Sequence, residues 1–210
     1  MSETLLKNGL YDPEFEHDAC GIGFVANMKG RKSHNIVKDA IQMLERMEHR
    51  GACGCEGNTG DGAGILFQMP HEFFVDECIK SGIKLPSFGR YGVGMVFFPK
   101  DEKMKEDCRK ILNRTIEKLG IKLLGYRKVP TFNGDIGPSA LAAEPSVEQV
   151  FVECPESITD PLVFERKLYI IRNYTSRLIN ESITGIGDQF YIVSFSYKTI
   201  TYKGMLTTSQ

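Results

Sequence analysis

The stretch "HDACGIGFVANMKG" at residues 17–30 sets a cysteine directly before a short apolar run that contains two glycines. Residues 21–28, "GIGFVANM", predict a strand, because a short apolar run bounded by a turn signal is typical of one, and "KGRKS" supplies the turn. Cys20 at the edge of such a strand has two interpretations. It is a small buried residue, or it is the first residue of a mature enzyme whose leader is "MSETLLKNGLYDPEFEHDA" at residues 1–19.

Length and charge restrict the class of protein. The chain has 210 residues, 41% of them apolar, which is enough for one sizeable core or at most two small ones. Its 26 basic and 27 acidic residues form no segregated block, so the sequence predicts no nucleic-acid partner. No apolar run is long enough to span a bilayer, and the first 19 residues lack the features of a secretory signal. These features predict a cytoplasmic protein without a membrane partner.

The cysteines give no disulfide or metal pattern. Cys53 and Cys55 form a C-x-C pair, but no second pair follows at zinc-finger spacing, so the sequence predicts no metal site. Cys78 and Cys108 fall inside helical patterns and are interpreted as small buried residues. The same interpretation applies to Cys154, which precedes a proline at the end of a predicted strand.

Hydrophobic periodicity predicts a single α/β or α+β domain. Four helices are predicted, from His34 to about Met47 with Ser33 as the N-cap, from Pro70 to about Ser81, over 101–119, and from about Asp160 to Ser182. After residue 28 the predicted strands are "ILFQM", which is expected to be buried, "YGVGMVFFP", "IKLLGYRKVP", "VEQVFVEC", "QFYIVSFSY" and "TITYKGML". The last two are predicted to form a hairpin, and "NGDIGPSALAAEPS" is predicted to be irregular.

Three local features carry chemistry: Cys20, "EHRGA" with Arg50, and the loop "TGDGAGI" at residues 59–65. The loop has neither the G-x-G-x-x-G fingerprint nor the lysine and hydroxyl of a phosphate-binding loop, so it does not predict a nucleotide site. Each feature alone also has a structural interpretation. Arg50 can interact with the carbonyl groups at the end of a helix, and alternate glycines permit a tight turn.

Taken together, "CGIGFVA", "ML-RM-HRGA", "TGDGAGIL-Q-PH-FF" and "FYIVSFSYKTITYKGML" resemble the start of glutamate synthase large chains, of the ferredoxin-dependent or bacterial large-subunit type. These enzymes are class II glutamine amidotransferases of the N-terminal-nucleophile hydrolase superfamily. The resemblance implies an α+β fold, namely an αββα four-layer sandwich that is truncated on its C-terminal side. It also implies a leader at residues 1–19 and an incomplete glutaminase domain at 20–210.

The resemblance implies the chemistry of the site. Cleavage between Ala19 and Cys20 would free an α-amino group, with a pKa near 7.7–8.0, that can take the proton of the Cys20 thiol. The thiolate would attack the side-chain amide of L-glutamine, and ammonia and then glutamate would be released through a glutamyl thioester. The leader would therefore be a covalent off-switch.

The resemblance also assigns roles around the nucleophile. Arg50 is expected to lie close to Cys20 and to order the pocket, without transferring protons, because a guanidinium stays charged. His49 is expected to be a packing or hydrogen-bonding neighbour. The pocket loop is expected to contain Gly51, Gly60, Asp61 and Gly62, although a purely structural turn is an equal interpretation of the last three.

Two further motifs of the family, an Asn-Gly oxyanion segment and an arginine that binds the substrate α-carboxylate, are not found before Gln210. "FNGDIG" at residues 132–137 lies at the wrong position for the first motif and is interpreted as a turn. Because losing one oxyanion donor costs about 10²–10³ in rate, the 210-residue chain alone is expected to be nearly inactive.

For the full-length parent, the resemblance implies an oxidoreductase that makes glutamate from glutamine and 2-oxoglutarate, in glutamate biosynthesis and ammonia assimilation. FMN and an iron–sulfur cluster are implied for the parent, and no cofactor is expected in this segment. The implied partners are the synthase domains of the same chain and either ferredoxin or a small NADPH-oxidising subunit. A plant-type parent would lie in the plastid stroma rather than the cytoplasm.

Two alternatives remain open at this point. The first is another class II amidotransferase, of the amidophosphoribosyltransferase or asparagine synthetase type. The stretch "HRGACGCEGNTGDGAGIL" argues against it, because those enzymes have shorter connections between the cysteine, the arginine loop and the next strand. The second is a non-catalytic module in which Cys20 is structural.

Overall fold

The computed structural model describes residues 20–51 and 56–210, apart from the side chain of Arg50. The helices of this part are α1 (His34–Arg46), α2 (His71–Lys80), α3 (Glu102–Lys118), α4 (Pro138–Ala143) and α5 (Pro161–Ser182). The strands are β1 (Ala63–Gln68), β2 (Tyr91–Phe98), β3 (Lys122–Lys128), β4 (Ser146–Glu153), β5 (Tyr191–Ser196) and β6 (Thr199–Gly204). The α+β class is confirmed.

All four predicted helices are present, because their sequences carry an apolar face; α1, α3 and α5 also begin with a side-chain N-terminal cap, whereas Pro70 provides none for α2. The side chain of Ser33 accepts a hydrogen bond from the backbone N–H of Asn35 at the start of α1. Asp101 and Asp160 cap α3 and α5 in the same way. Every helix in the described part of the chain is too short or too polar to cross a membrane.

The chain divides into two compact units. The smaller contains residues up to Ala63 together with Gly204–Gln210, and the larger is Gly64–Lys203. In the larger unit, β3, β4, β2 and β5 form a four-stranded sheet in that order, and the pairs β3–β4, β4–β2 and β2–β5 are all antiparallel. A second sheet has two strands, β1 and β6.

Both faces of the four-stranded sheet are covered, which explains the continuous apolar sequence of β2. Val96 and Phe98 belong to a core shared with α3 and α5, while Val93 and Met95 belong to a second core. The second core also includes buried residues of α2 and β6. Because successive side chains of a strand point to opposite faces, a strand covered on both faces needs apolar residues throughout.

A polar network holds β6 in the second core. The buried Gln149 of β4 donates a hydrogen bond to the hydroxyl of Tyr202 on β6, at 2.8 Å. Its amide oxygen accepts one from Arg127 of β3 at 3.0 Å, and Arg127 forms a 2.7 Å ion pair with Glu77 of α2. The ring of Tyr202 stacks on Phe67 of β1 with 5.7 Å between centroids. Three strands of the two sheets and one helix are thus connected through four polar side chains.

The prediction that β5 and β6 form a hairpin is wrong. β5 pairs with β2 and β6 pairs with β1, so the chain passes from one sheet to the other between Ser196 and Thr199. The Ser196 hydroxyl accepts hydrogen bonds from the backbone N–H groups of Lys198 and Thr199, at 3.0 and 3.3 Å. It donates to Glu165 of α5 at 2.7 Å. These bonds satisfy two backbone N–H groups of the crossover. The prediction failed because the local sequence pattern of β5 and β6 does not reveal which strand each one pairs with.

Residues 21–28 also differ from the prediction. The expected turn is present, with the N–H of Gly30 bonded to the carbonyl of Asn27 at 2.9 Å, but no strand forms before it. A strand requires a partner for its backbone, and the described residues provide none for this segment. Ile22 is therefore 96% exposed and Phe24 89% exposed.

Two smaller predictions are corrected. β1 alternates between half-buried and exposed residues instead of being buried throughout, because it belongs to a sheet of two strands. The stretch "NGDIGPSALAAEPS" contains the short helix α4, which begins at Pro138, a residue whose fixed φ suits the first turn of a helix. Asn133 and Gly134 do lie at a turn, as interpreted.

The crossover at Ser196 gives a testable prediction for the fold. Ser196→Ala removes the acceptor for two backbone N–H groups and the donor to Glu165, so the free energy of unfolding should fall by about 1–3 kcal/mol. Denaturant unfolding of the purified chain measures this change. Ser87→Ala, at an exposed serine in a loop, is the control and should change stability by less than about 0.5 kcal/mol. Equal effects of the two substitutions would contradict the role given to Ser196.

Candidate active site

The loop before β1 lies directly against the chain that follows β6. Gly60 is buried, and a Cβ at this position would come within 2.6 Å of the backbone nitrogen of Thr207 and closer still to the carbonyl of Leu206. These neighbours are backbone atoms, which cannot rotate away as a side chain can. Position 60 therefore accepts only glycine without a shift of one segment or the other.

The next two glycines serve similar purposes. Gly62 has a φ of +140°, which residues with a side chain rarely adopt. A Cβ on Gly64 would lie 2.7 Å from the Cβ of Lys203 and 2.8 Å from the carbonyl oxygen of Tyr202. The tight turn predicted for these glycines is thus only part of their role, because two of them permit close approach of a segment that is distant in sequence.

The loop is also held by hydrogen bonds. The hydroxyl of the buried Thr59 donates to the carboxylate of Glu56 at 2.7 Å, and its backbone N–H donates to the carbonyl of Glu56 at 3.1 Å. The side-chain amide of Gln210 donates to the carbonyl of Asn58 at 3.1 Å. Its oxygen accepts from the N–H of Thr207 at 2.9 Å. Residues 206–210 therefore hold the loop at 58–60 by backbone packing and hydrogen bonds. The sequence alone did not connect these residues with the site.

Asp61 is the exposed residue at the centre of this loop. Gly60 on one side is packed against the Leu206–Thr207 backbone, and Gly62 on the other has a φ of +140°, so Asp61 lies in a tightly packed loop although its carboxylate faces water. A carboxylate presented on a rigid loop can accept hydrogen bonds from a cationic or amide group of a ligand.

Cys20 differs from the other described cysteines in being exposed. Cys78, Cys108 and Cys154 are buried, as predicted, and burial raises the pKa of both the Cys78 and the Cys108 thiol to about 11. Three residues after Cys20, Gly23 packs against α1, where a Cβ would lie 2.8 Å from the terminal methyl of Met43. Cys53 and Cys55 lie outside the described residues.

Arg50 ends a single turn of 3-10 helix, Glu48–Arg50, after α1. The N–H of Gly51 closes this turn on the carbonyl of Glu48 at 3.0 Å, and Nδ1 of His49 donates to the carbonyl of Arg46 at 3.1 Å. His49 is thus hydrogen-bonded to the end of α1, and its expected place beside the nucleophile stays a prediction. The side chain of Arg50 lies outside the described part, so its expected approach to Cys20 stays a prediction.

Among the described residues, Cys20 and Asp61 share no hydrogen bond or ion pair. The residues of the 59–62 loop lie together, but a joint role with Cys20 and Arg50 rests on the resemblance. In the same part of the chain, no three histidine, cysteine, aspartate or glutamate side chains are arranged to hold a metal ion.

Comparison with known proteins decides the family. The family described as glutamine amidotransferases class-II matches residues 20–210. The chain belongs to this family. The match includes Cys20, Arg50 and the 59–62 loop, and it begins at Cys20 itself.

The relatives of this amidotransferase chain are glutamate synthases. It is 48% identical to the glutamate synthase [NADPH] large chain of Bacillus subtilis, over 96% of this chain and 13% of the relative. It is 41% identical to glutamate synthase [NADH] of Saccharomyces cerevisiae, over 97% of this chain and 10% of the relative. It is 40% identical to the chloroplastic ferredoxin-dependent glutamate synthase of Spinacia oleracea, over 91% of this chain and 12% of the relative. The chain thus spans about a tenth of the length of these relatives, and the resemblance inferred from its motifs is confirmed.

The contact at Gly60 can be tested with a matched pair of substitutions. Gly60→Ala places a methyl group against the backbone of Leu206 and Thr207. The free energy needed to open the loop should therefore fall by about 1–3 kcal/mol. Native-state hydrogen exchange of the Thr59 amide, which is bonded to Glu56, measures this opening. Gly57→Ala is the control, because a Cβ there meets nothing within 4 Å. Unchanged Thr59 protection in Gly60→Ala would show that the contact does not hold the loop.

The thiols give a second prediction. With a pKa of about 11, Cys78 and Cys108 are about 0.1% thiolate at pH 8 and are also shielded from reagents. Iodoacetamide should therefore alkylate the exposed Cys20 much faster than these two in the native protein, and peptide mass spectrometry measures the difference. In denaturant all three should react at similar rates. Alkylation of Cys78 or Cys108 as fast as that of Cys20 in the native state would contradict this assignment.

Proposed function

We propose that this chain is the glutaminase part of a glutamate synthase, with Cys20 as the nucleophile after removal of residues 1–19. The observation that carries the proposal is the family match, which begins at Cys20 and joins it to relatives that are glutamate synthases. These relatives favour a glutamate synthase over an amidophosphoribosyltransferase-like or asparagine synthetase-like enzyme. The exposure of Cys20 favours a reactive residue over a structural one, since a structural cysteine is normally buried.

In the proposed chemistry, the nucleophile and the base that activates it both belong to Cys20. A free thiol is only a few per cent thiolate at neutral pH and requires a base. The α-amino group of a mature Cys20, with a pKa near 7.7–8.0, takes the thiol proton and returns it to the departing ammonia. The sulfur forms a thioester with the γ-carbonyl of glutamine, and water then releases glutamate. While Ala19 is attached, the same nitrogen is an amide and cannot act as a base.

The other predicted site residues are proposed to bind the glutamine substrate and to orient it toward Cys20. In this proposal, Arg50 and Gly51 order the pocket beside Cys20, and the loop of Gly60, Asp61 and Gly62 forms the wall facing it. The rigidity of that loop supports the assignment, because a group that orients a substrate must itself be held in place. The exposed carboxylate of Asp61 suits the α-ammonium group of glutamine, which needs an anionic or acceptor partner.

The proposed domain is the N-terminal-nucleophile αββα sandwich, with residues 1–19 as its leader and 20–210 as an incomplete part of it. The larger unit supports this, because helices cover one face of its four-stranded sheet and the second sheet lies in the core on the other.

The parent is proposed to be an oxidoreductase that contains FMN and an iron–sulfur cluster. The described cysteines do not fit such a cluster, because Cys78, Cys108 and Cys154 are buried separately and no group of ligands is formed. Those cofactors would therefore be held by other segments of the parent. The named relatives include glutamate synthases labelled NADPH, NADH and ferredoxin-dependent. Similarity of this segment to all three therefore does not identify the electron donor or the cellular compartment of the parent.

Covalent labelling tests the proposal. The mature full-length protein is treated with 6-diazo-5-oxo-L-norleucine, a glutamine analogue that alkylates nucleophilic thiols, and is analysed by mass spectrometry. We expect a chain that begins at Cys20 and carries one adduct on that residue, with glutaminase activity lost in proportion. Cys20→Ala should be unlabelled and inactive, whereas Cys154→Ala should still be labelled. An unlabelled Cys20 in an active enzyme would overturn the proposal.

Leader removal gives a separate prediction. A full-length variant that begins Met-Cys20, so that removal of the methionine exposes the amine, should be as active as the processed protein. A variant in which Ala19→Pro blocks cleavage should lose about 10²–10⁴ in glutaminase kcat, the usual contribution of a general base. Steady-state ammonia release measures both. Full activity in a chain shown by mass spectrometry to retain its leader would contradict the role of the amine.

A further inference from the structure

The exposed turn at Asn133 and Gly134 contains the one Asn-Gly pair in the part of the chain that the structure describes. A second pair, Asn8–Gly9, lies outside the described residues. An Asn-Gly pair forms turns readily, but it is also chemically labile. Glycine has no side chain to keep its backbone nitrogen away from the carboxamide of the preceding asparagine.

The surroundings of Gly134 leave its nitrogen accessible. A Cβ built on Gly134 would lie 2.6 Å from Cζ of the Phe132 ring, which belongs to a side chain and not to the backbone. Phe132 is itself 81% exposed, so its ring is free to rotate away. The backbone N–H of Gly134 donates to no other described residue. Reaction at this nitrogen therefore breaks no hydrogen bond within the described part of the chain.

Deamidation at this pair requires only water. The N–H of Gly134 gives its proton to solvent, and the nitrogen bonds to Cγ of Asn133. The bond from Cγ to Nδ2 breaks, and Nδ2 takes a proton from water and leaves as ammonia. Water then opens the cyclic imide at either of its two carbonyl carbons. One opening gives aspartate, and the other gives isoaspartate, in which the main chain runs through the former side chain.

The other described asparagines lack this combination. Asn27 is also exposed at a turn, but Met28 follows it, and its side-chain oxygen accepts two backbone N–H groups at 2.9 and 3.3 Å. Asn58 precedes Thr59, which is buried and β-branched. The remaining four lie within helices, where the backbone is fixed: Asn35, Asn113, Asn173 and Asn180.

The side chain of Asn133 is tied to the C-terminal end of α4. Its Nδ2 donates to the carboxylate of Glu144, the residue that follows α4, at 3.0 Å. The same carboxylate pairs with Lys100 at 3.1 Å, and Lys100 also donates to the carbonyl of Leu141 at 3.1 Å. An ionised carboxylate at position 133 has no proton to donate and adds a second negative charge beside Glu144. Deamidation thus replaces an attraction with a repulsion.

We propose that Asn133 is a site of spontaneous deamidation and that its conversion releases this turn from the end of α4. The proposal does not depend on the glutaminase function, because the reaction uses only Asn133, Gly134 and water. It assigns a role to the Asn-Gly pair that the candidate active site does not use. The isoaspartate product is recognised by protein isoaspartate methyltransferase, which supplies a specific probe.

Ageing of the mature full-length protein at mildly alkaline pH tests the site. Peptide mass spectrometry measures conversion of amide to acid at Asn133 and at Asn27 in the same digest. Methyltransferase with labelled S-adenosylmethionine measures isoaspartate. We expect conversion at Asn133 to be at least about fivefold faster than at Asn27 and at least about fivefold slower in Gly134→Ala, because alanine restricts the backbone. Conversion no faster than at Asn27, or undiminished in Gly134→Ala, would overturn the proposed site.

Hydrogen exchange tests the effect on α4. The amide of Leu141, which is bonded to the carbonyl of Gly137 at 2.9 Å, should exchange about two- to fivefold faster in Asn133→Asp than in the unmodified protein. Asn27→Asp is the control, because it adds the same charge at another exposed turn, and it should leave the exchange of Leu141 unchanged. Equal exchange of Leu141 in both variants would contradict the proposed release.

Discussion

Direct packing of backbone against backbone at Gly60 is the constraint on which the candidate site depends. No side chain separates the loop from the Leu206–Thr207 segment, so the position of one determines the position of the other. Gln210 reinforces the contact by hydrogen bonds to the carbonyl of Asn58 and the N–H of Thr207. Asp61 is consequently presented by a rigid loop, and this rigidity is what a substrate-binding wall requires.

A series of polar contacts fixes β6 within the larger unit. β6 is held through Tyr202, whose hydroxyl is bonded to the buried Gln149, which is bonded in turn to Arg127. The crossover at Ser196 sends the chain away from the four-stranded sheet and into β6. Gln149, Arg127 and Ser196 are buried, so an alternative arrangement would leave a donor or an acceptor of these side chains unpaired, which is costly. These contacts thus fix the path of the chain through β5 and β6 within the larger unit.

Much of this fold could be predicted from local sequence, and the exceptions share one cause. α3 and α5 were predictable because a cap and an apolar face are both encoded within the helix. The hairpin of β5 and β6 was not, because the choice of a pairing partner depends on residues far away in sequence. Residues 21–28 have the sequence of a strand, but a strand exists only where another backbone completes it. The same limit applies to Gly60, whose neighbour Leu206 is almost 150 positions distant.

The candidate site residues could not be identified from local sequence patterns alone. Exposure singles out Cys20 only after the structure shows that Cys78, Cys108 and Cys154 are buried. The grouping of Cys20 with Arg50 and Asp61 came from motifs shared with glutamate synthases, since no local pattern links residues so far apart. The structure of the mature full-length protein with the glutamine analogue bound to Cys20 tests that grouping most directly. We predict that Asp61 lies within hydrogen-bond reach of the analogue, with Gly60 still packed on Leu206. An adduct on Cys20 that is out of reach of the 60–62 loop would contradict the account.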